Sequence, residues 1–237
     1  MSVNREEILK LFKGLRVTDV NDGLDAVGLL NVCIMDRGIR PLWRDIEQFK
    51  HRICGFALTV QYLPGNEAIH ATSVDDYYEK RSYWYSEMSP NKEWMALIQK
   101  NDVIAIDCST NTDVGFCGSE NSQNWINHGA VGIVTNGGCR DTDELIKQQV
   151  PLYSNYIGRG IKPGRIVSNG FNKPVNIGGA MVRPGDLIVA DGDGVVVVPI
   201  EKVYDVAAYA RKISDGDKQK RREHYIKAGK TLDFTVQ

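Results

Sequence analysis

Apolar positions recur three and four apart at the start of the chain, where Ile8, Leu9, Leu11, Phe12 and Leu15 fall on or near one face of a helix within residues 1–15. A second helix over 17–28 repeats that spacing with Val20, Leu24 and Val27; Thr18 or Asp19 is its expected N-cap, and Gly28 closes it. The pattern then changes. Residues 35–46 are turn-rich and then extended, and ICGFALTVQYL (53–63) alternates and concentrates β-branched residues as a core strand does. Further strands are predicted over 102–109, 132–138 (strand and turn) and 150–156. Helices are predicted over 119–128 and 143–149, with the end of another over 95–99. From 175 to 203 short strands follow one another around Gly and Pro-Gly turns. The segment 201–229 predicts a long charged helix, interrupted near Ser214 to Asp217.

One stretch resists this treatment. From Asn66 to Lys92 the chain is aromatic and charged (DDYYEKRSYWYSEMSP), has no clean helical or strand period, and exceeds a usual connection in length. It could cover a pocket or a subunit contact, since Tyr and Trp favour such surfaces, or be a surface excursion packing its own aromatics. Helices flanking compact β-structure imply a mixed α/β fold in a single domain over 1–237. Its expected parts are N-terminal helices to residue 30, a core over 50–200 with an insertion at about 66–95, and a C-terminal helical arm over 201–237. With 237 residues, 42% of them hydrophobic, the chain can bury a substantial core.

Charge narrows the function classes. Lys and Arg total 29 against 30 Asp and Glu, so no basic excess marks a nucleic-acid binder, and the cluster KQKRREHYIK (218–227) reads as a solvated helix face. The first helix lacks the apolar core and cleavage site of a secretory signal, and no apolar run reaches the roughly 18 residues of a membrane span. A soluble, cytoplasmic protein is expected. Five cysteines without a CxxC pair argue for reduced thiols, and Cys139, although next to Arg140, reads as a small buried turn residue. IGRGIKPG (157–164) reads as a turn cluster. DGDG (191–194) reads as a hairpin turn, not a calcium loop, because the full ligand series and closing Glu are missing, so Asp186 and Asp191 are expected to be structural. His70, His128 and His224 show no metal-ligand spacing.

Candidate chemistry concentrates between Gly118 and Asp141 (GSENSQNWINHGAVGIVTNGGCRD). If Ser119 opens a helix, the N–H groups of Ser119, Glu120 and Asn121 are unsatisfied and form a seat for a carboxylate, which Gly118 lets approach closely. The next strand ends on Gly137 and Gly138, a turn expected to aim Arg140 and Asp141 back at that seat. An Arg fork suits a carboxylate or enolate, and an adjacent Asp can hold a divalent ion. An isolated Arg-Asp dipeptide is usually a surface pair of small weight. Here the glycines, the helix start and the spacing give it meaning.

The run resembles the RraA-like family, which includes the class II 4-hydroxy-4-methyl-2-oxoglutarate/4-carboxy-4-hydroxy-2-oxoadipate aldolases and the regulators of ribonuclease E activity. The family pattern is Gly, an acid, about twenty residues, then Gly-Gly-x-Arg-Asp, matched by Gly118, Gly137, Gly138, Arg140 and Asp141. An Ile-x-Pro-Leu turn and a Gly-x-Ala-x-Thr-Val strand add to the likeness, which covers roughly 17–230 apart from the insertion. Where the family carries an acid after the first Gly, this chain has Ser119, with Glu120 next. The resemblance implies a three-layer β/β/α swivelling-domain-like fold. It also implies a metal-dependent lyase that splits a 4-hydroxy-2-oxo diacid, or decarboxylates oxaloacetate, through a pyruvate enolate. In that scheme Arg140 stabilises the enolate, Asp141 holds Mg2+ or Mn2+, and the backbone of Gly118 to Asn121 grips the carboxylate. The proton acceptor stays open among Glu120, Asp113, a neighbouring subunit's acid, or none at all, the last leaving decarboxylation. The family further implies a trimer or dimer of trimers, with the C-terminal helix around Asp215 and Asp217 reaching a neighbour. Its other branch implies a non-catalytic protein that binds a ribonuclease.

Overall fold

The structure is a computed structural model and describes residues 4–66, 68–89, 91–110 and 113–237. Two helices open it, α1 (Arg5–Phe12) and α2 (Val17–Ala26), followed by β1 (Arg40–Pro41) and the long β2 (Ile53–Pro64). Next come α3 (Val74–Tyr83), a π-helical turn (Trp84–Met88), α4 (Asn91–Met95), β3 (Asp102–Asp107), β4 (Gly115–Cys117) and α5 (Ser119–Asn127). β5 (Ala130–Thr135), β6 (Gly138–Cys139), α6 (Thr142–Lys147), β7 (Leu152–Ser154), β8 (Tyr156–Ile157) and β9 (Ile166–Phe171) continue the chain. Two antiparallel pairs, β10 (Val175–Ile177) with β11 (Ala180–Val182) and β12 (Leu187–Asp191) with β13 (Gly194–Val198), lead into α7 (Val203–Lys227).

The main sheet runs β1-β7-β5-β3-β2-β12-β13, with β9 pairing β2 as well. Its centre, β2-β3-β5-β7, is parallel, and its flanks are antiparallel. Every residue of β3, β12 and β13 is buried, as expected of strands covered on both faces. On one side α1, α2 and α7 close over Phe56, Val189 and Val196 with Ile8, Phe12, Leu24 and Val206. The β10–β11 hairpin covers Val103, Val134 and Val197. A third core, with Trp94, Trp125 and Phe116, lies between the sheet, α5 and a small parallel sheet, β4-β6-β8. The result is the expected mixed α/β architecture with flanking terminal helices. No helix among the described residues is long and apolar enough to cross a membrane.

Three expectations need correction. The stretch without a period contains a helix: α3 buries no residue, so no apolar stripe marks it. It is held instead by its cap, where Ser73 Oγ accepts from Asp76 N at 3.1 Å, and by the Asp76–Lys80 pair at 2.9 Å. α7 is continuous through Ser214 to Asp217. Ser214 is buried against α2, and Asp217 pairs with Arg16 of its own chain at 3.3 Å, so contacts hold the helix across Gly216. α2 begins two or three residues earlier than a Thr18 or Asp19 cap allows: Asp19 lies inside it, and its Oδ2 accepts from Arg16 N at 2.9 Å. The DGDG turn joins β12 to β13 as expected, with the buried Asp191 accepting from Val17 N (2.9 Å) and Asp193 N (2.8 Å). Asp186, also buried, accepts from Arg183 N and Ile200 N.

Candidate active site

The small sheet makes the site. In its parallel register Gly115 faces Gly138 and Cys117 faces Cys139, so the chain leaves β4 and β6 side by side. Gly118 and Arg140 are therefore neighbours although 22 positions apart, and Arg140 N donates to Cys117 O at 2.9 Å. Asp141 then takes a left-handed conformation (φ 55°, ψ 45°), uncommon for a non-glycine residue, and turns the chain into α6. That turn sends its carboxylate across to α5: Oδ2 accepts from Ser119 N at 3.1 Å and lies 3.5 Å from Ser119 Oγ. Arg140 Nε lies 3.7 Å from the same oxygen, beyond a hydrogen bond. Glycine at 118 makes room for this pair, because a Cβ there would stand 2.7 Å from Asp141 Oδ2 and 3.3 Å from Arg140 Nε and displace the side chains. Gly138 is closed by backbone, its Cβ position lying 2.5 Å from Val114 O and from the Tyr156 ring.

The expected convergence of helix start, guanidinium and carboxylate is thus present, with one change. Ser119 N, expected to face a ligand, is already engaged by Asp141, which serves α5 as a distant N-cap. The N–H groups of Glu120 and Asn121 find no acceptor among the described residues. Glu120 is exposed in the first turn, Asn121 is half-buried, and Gly118 is buried. The side chains of Arg140 and Asp141 are 30% and 37% exposed, and no hydrogen bond among the described residues uses the Arg140 Nη groups. The guanidinium is held at its root and open at its tip.

Asp113 is committed elsewhere. Its carboxylate takes Arg159 Nε at 2.6 Å and Arg159 N at 3.0 Å, and that partner holds it below the usual carboxylate range. The Cys139 thiol is buried and pushed up by burial, and it lies 3.3 Å from Ser154 Oγ, so the structural reading of that cysteine stands. Sequence reasoning missed Lys162. Counted among the residues of a turn cluster, it proves to be 2% exposed, with Nζ 4.6 Å from the centre of the Phe116 ring and no hydrogen-bond partner among the described residues. Trp84 and Tyr85, from the π-helical turn, form the far wall around it, so the insertion does line the neighbourhood of Arg140. No periodic signal in a Gly-rich loop could have placed that side chain in the core.

Two cavities lie apart from this point. An apolar groove of about 580 Å3 runs beside α3, between Trp84, Tyr83, Met88 and Ile166; Asp76 and Lys80 at its edge pair with each other, and Glu79 also lines it. A polar cleft of about 510 Å3 opens at the ends of β3 and β5 among Asp107, Ser109, Asn136, Asn155 and Asn176, where Asp107 is already held by Gln61 (2.7 Å) and Asn136 (2.9 Å). Neither presents a cation to an anionic ligand as the start of α5 does.

A family model described as RraA-like, Aldolase/RraA, matches residues 17–197. A Halalkalibacterium halodurans protein provisionally named 4-hydroxy-4-methyl-2-oxoglutarate aldolase is 28% identical over 223 residues, 94% of this chain and 90% of that one. Protein DlpA of Legionella pneumophila is 25% identical over 218 residues, 91% of this chain, which spans only 31% of DlpA's length. Among solved structures, an uncharacterised protein from Pseudomonas syringae pv. tomato superposes with a TM-score of 0.73 at 24% identity, each chain covered completely. Streptomyces coelicolor RraAS2, described as an unusual member of the RNase ES inhibitor RraA family, gives 0.73 at 21% identity over 92% of this chain and 98% of that one. These two likenesses concern the fold.

Proposed function

The chain belongs to the RraA-like family, and from that membership and the geometry at the start of α5 we propose a divalent-metal-dependent lyase acting on a small 2-oxo acid through a pyruvate enolate. The observation that carries this reading is the side-by-side exit of β4 and β6, which brings the Arg140 guanidinium and the Asp141 carboxylate to the start of α5, where the N–H groups of Glu120 and Asn121 have no acceptor among the described residues.

The donor set fits a hard, hydrated ion. Asp141 Oδ2 is engaged by Ser119 N, which leaves Oδ1, and the described residues contain no cluster of three or more His, Cys, Asp or Glu. A lone carboxylate oxygen suits Mg2+ or Mn2+, which keep much of their water, rather than Zn2+, which takes three or four protein ligands. Held by Asp141, such an ion supplies Lewis-acid polarisation of the 2-oxo group. The remaining work falls to the chain. The N–H groups of Glu120 and Asn121, at the positive end of α5, bind the substrate carboxylate. The Arg140 Nη groups stabilise the enolate oxygen as the C3–C4 bond breaks, a charge that develops only along the reaction. Glu120, exposed in the first turn of α5, is the acid assigned to take the 4-hydroxyl proton, since Asp113 is held by Arg159. Oxaloacetate loses CO2 without that proton transfer and is the less demanding substrate.

Purified protein with millimolar Mg2+ or Mn2+ should release pyruvate from oxaloacetate or a 4-hydroxy-2-oxo diacid, followed with lactate dehydrogenase, and Arg140→Ala should abolish it. Wild type and Arg140→Ala equally inert on both substrates would remove the lyase reading in favour of a non-catalytic regulatory one. The family reading carries a homotrimer or dimer of trimers with it, and a monomer in light scattering would contradict that part.

A further inference from the structure

A lysine buried without a paired counter-charge among the described residues asks for an explanation, because an isolated ammonium in an apolar interior is costly unless paired. Lys162 is 2% exposed, and its Nζ has no hydrogen-bond partner among the described residues. It stands among four aromatic rings, 4.6 Å from the centre of Phe116, 5.6 Å from Tyr85, 5.9 Å from Tyr62 and 6.0 Å from Trp84. Ring faces attract a cation but do not neutralise it. The loop carrying Lys162 belongs to the site's own scaffold. Gly160 O accepts from Gly115 N at 3.0 Å, so the loop is tied to β4, the strand that leads into Gly118. Of the charged groups, Arg140 repels the ammonium and Glu120 attracts it.

We propose that Lys162 is a second cation of the anion seat, and that its ammonium gains a counter-charge when a small oxo-acid anion enters beside Arg140. The inference rests on the anion seat in the proposed function and not on turnover. It assigns the ligand class as a compact di-anion or enolate: a site with two cations, two helix N–H groups and an aromatic wall favours concentrated negative charge over a long acyl tail.

Binding then carries a proton. The groups facing Lys162 are Arg140 beyond β6, Glu120 on α5, Cys117 on β4, Cys108 after β3, Tyr62 on β2 and Tyr85 on the π-helical turn. Burial pushes Cys117 well up, Cys108 and Tyr62 up to about 12, and Tyr85 up as well, so these thiols and phenols stay neutral through pH 9. Burial, helped by Arg140, lowers Lys162 to about 8, so in the empty site near pH 8 the amine is roughly half protonated. An anion beside it draws the proton on.

Oxalate, a mimic of the pyruvate enolate, is the probe. Calorimetric titration in saturating Mg2+ at pH 8, in two buffers of different ionisation enthalpy, should register uptake of about half a proton by wild type, and affinity should be about tenfold weaker at pH 9 than at pH 7. Lys162→Met should bind with no uptake and no such slope. The same uptake and slope in Lys162→Met would overturn the proposal, as would a wild type that binds no oxalate. Should Lys162→Met fail to fold, the Lys162 13Cε resonance of 13C-lysine-labelled wild type gives the titration directly, and a midpoint unmoved by oxalate would overturn it. Wild type that takes up oxalate with its proton yet releases no pyruvate would leave this inference standing and remove the lyase. An active lyase whose oxalate binding is flat with pH would do the reverse.

Discussion

Two Arg–Asp pairs show how one chemical pairing becomes scaffold in one place and a candidate site in another. At the start of α2, Asp19 is 1% exposed and its carboxylate is fully used: it takes Arg16 Nε at 3.0 Å, Arg16 Nη2, Arg16 N at 2.9 Å and a hydrogen bond from Ser214. Burial pushes that carboxyl up, yet these hydrogen bonds outweigh it and hold Asp19 below the usual carboxylate range. After β6, Asp141 uses one oxygen on Ser119 and Arg140 stands 3.7 Å off with its Nη groups open. Pairs whose donors and acceptors are all committed fasten elements together. A pair with its roots fixed and its tips free can act on something else.

The largest expected effect separates the two pairs. Arg140→Ala should lower pyruvate release on the order of 10^2- to 10^3-fold while leaving the unfolding midpoint nearly unchanged, as removal of an oxyanion-stabilising group does. Asp19→Ala should do the opposite: roughly 3 kcal/mol lost in urea unfolding, because it strands Arg16 and a buried helix end, with turnover per folded molecule intact. A loss of turnover in Asp19→Ala without a loss of stability would break the comparison. Asp19 also has a pH signature. Its lowered carboxyl contributes stability above the usual carboxylate range that is lost as pH falls through the folded value, so wild type and Asp19→Ala should converge in stability under acid.

Lys162 gives the reverse sign. Its folded value of about 8 lies below the ordinary 10.5, so the unfolded chain binds the proton more readily, and wild-type stability from this group rises with pH through that window. The stability advantage of Lys162→Met should therefore shrink by roughly 2 kcal/mol between pH 7.5 and pH 9.5 in paired urea titrations. An unchanged difference would mean that the ammonium is solvated. The smallest effect is expected for Gly118→Ala. Its Cβ would meet Asp141 Oδ2 at 2.7 Å and push the carboxylate aside, weakening Mn2+ binding about tenfold with little change in stability.

Much of this was legible in residue order, for reasons that differ from element to element. α1 and β2 announce themselves because burial on one face or both leaves a period in the chain. α3 leaves none, since it is fixed by a cap and a charge pair on an exposed surface, and the continuity of α7 across Gly216 depends on Ser214 and Asp217 meeting α2. At the site, glycine spacing and the Arg-Asp dipeptide pointed to the right place because close approach excludes a Cβ. They could not reveal that Asp141 would occupy the Ser119 amide or that Arg159 would claim Asp113.

By itself the sequence determined the elements with a hydrophobic period, the family and the residues around which chemistry is possible, because these depend on local order and side-chain type. Tertiary structure alone decided which donors and acceptors were already engaged and brought Lys162 into the core against the Phe116 ring. Both depend on the parallel register of β4, β6 and β8, and pairing between distant strands leaves no trace in the order of the residues.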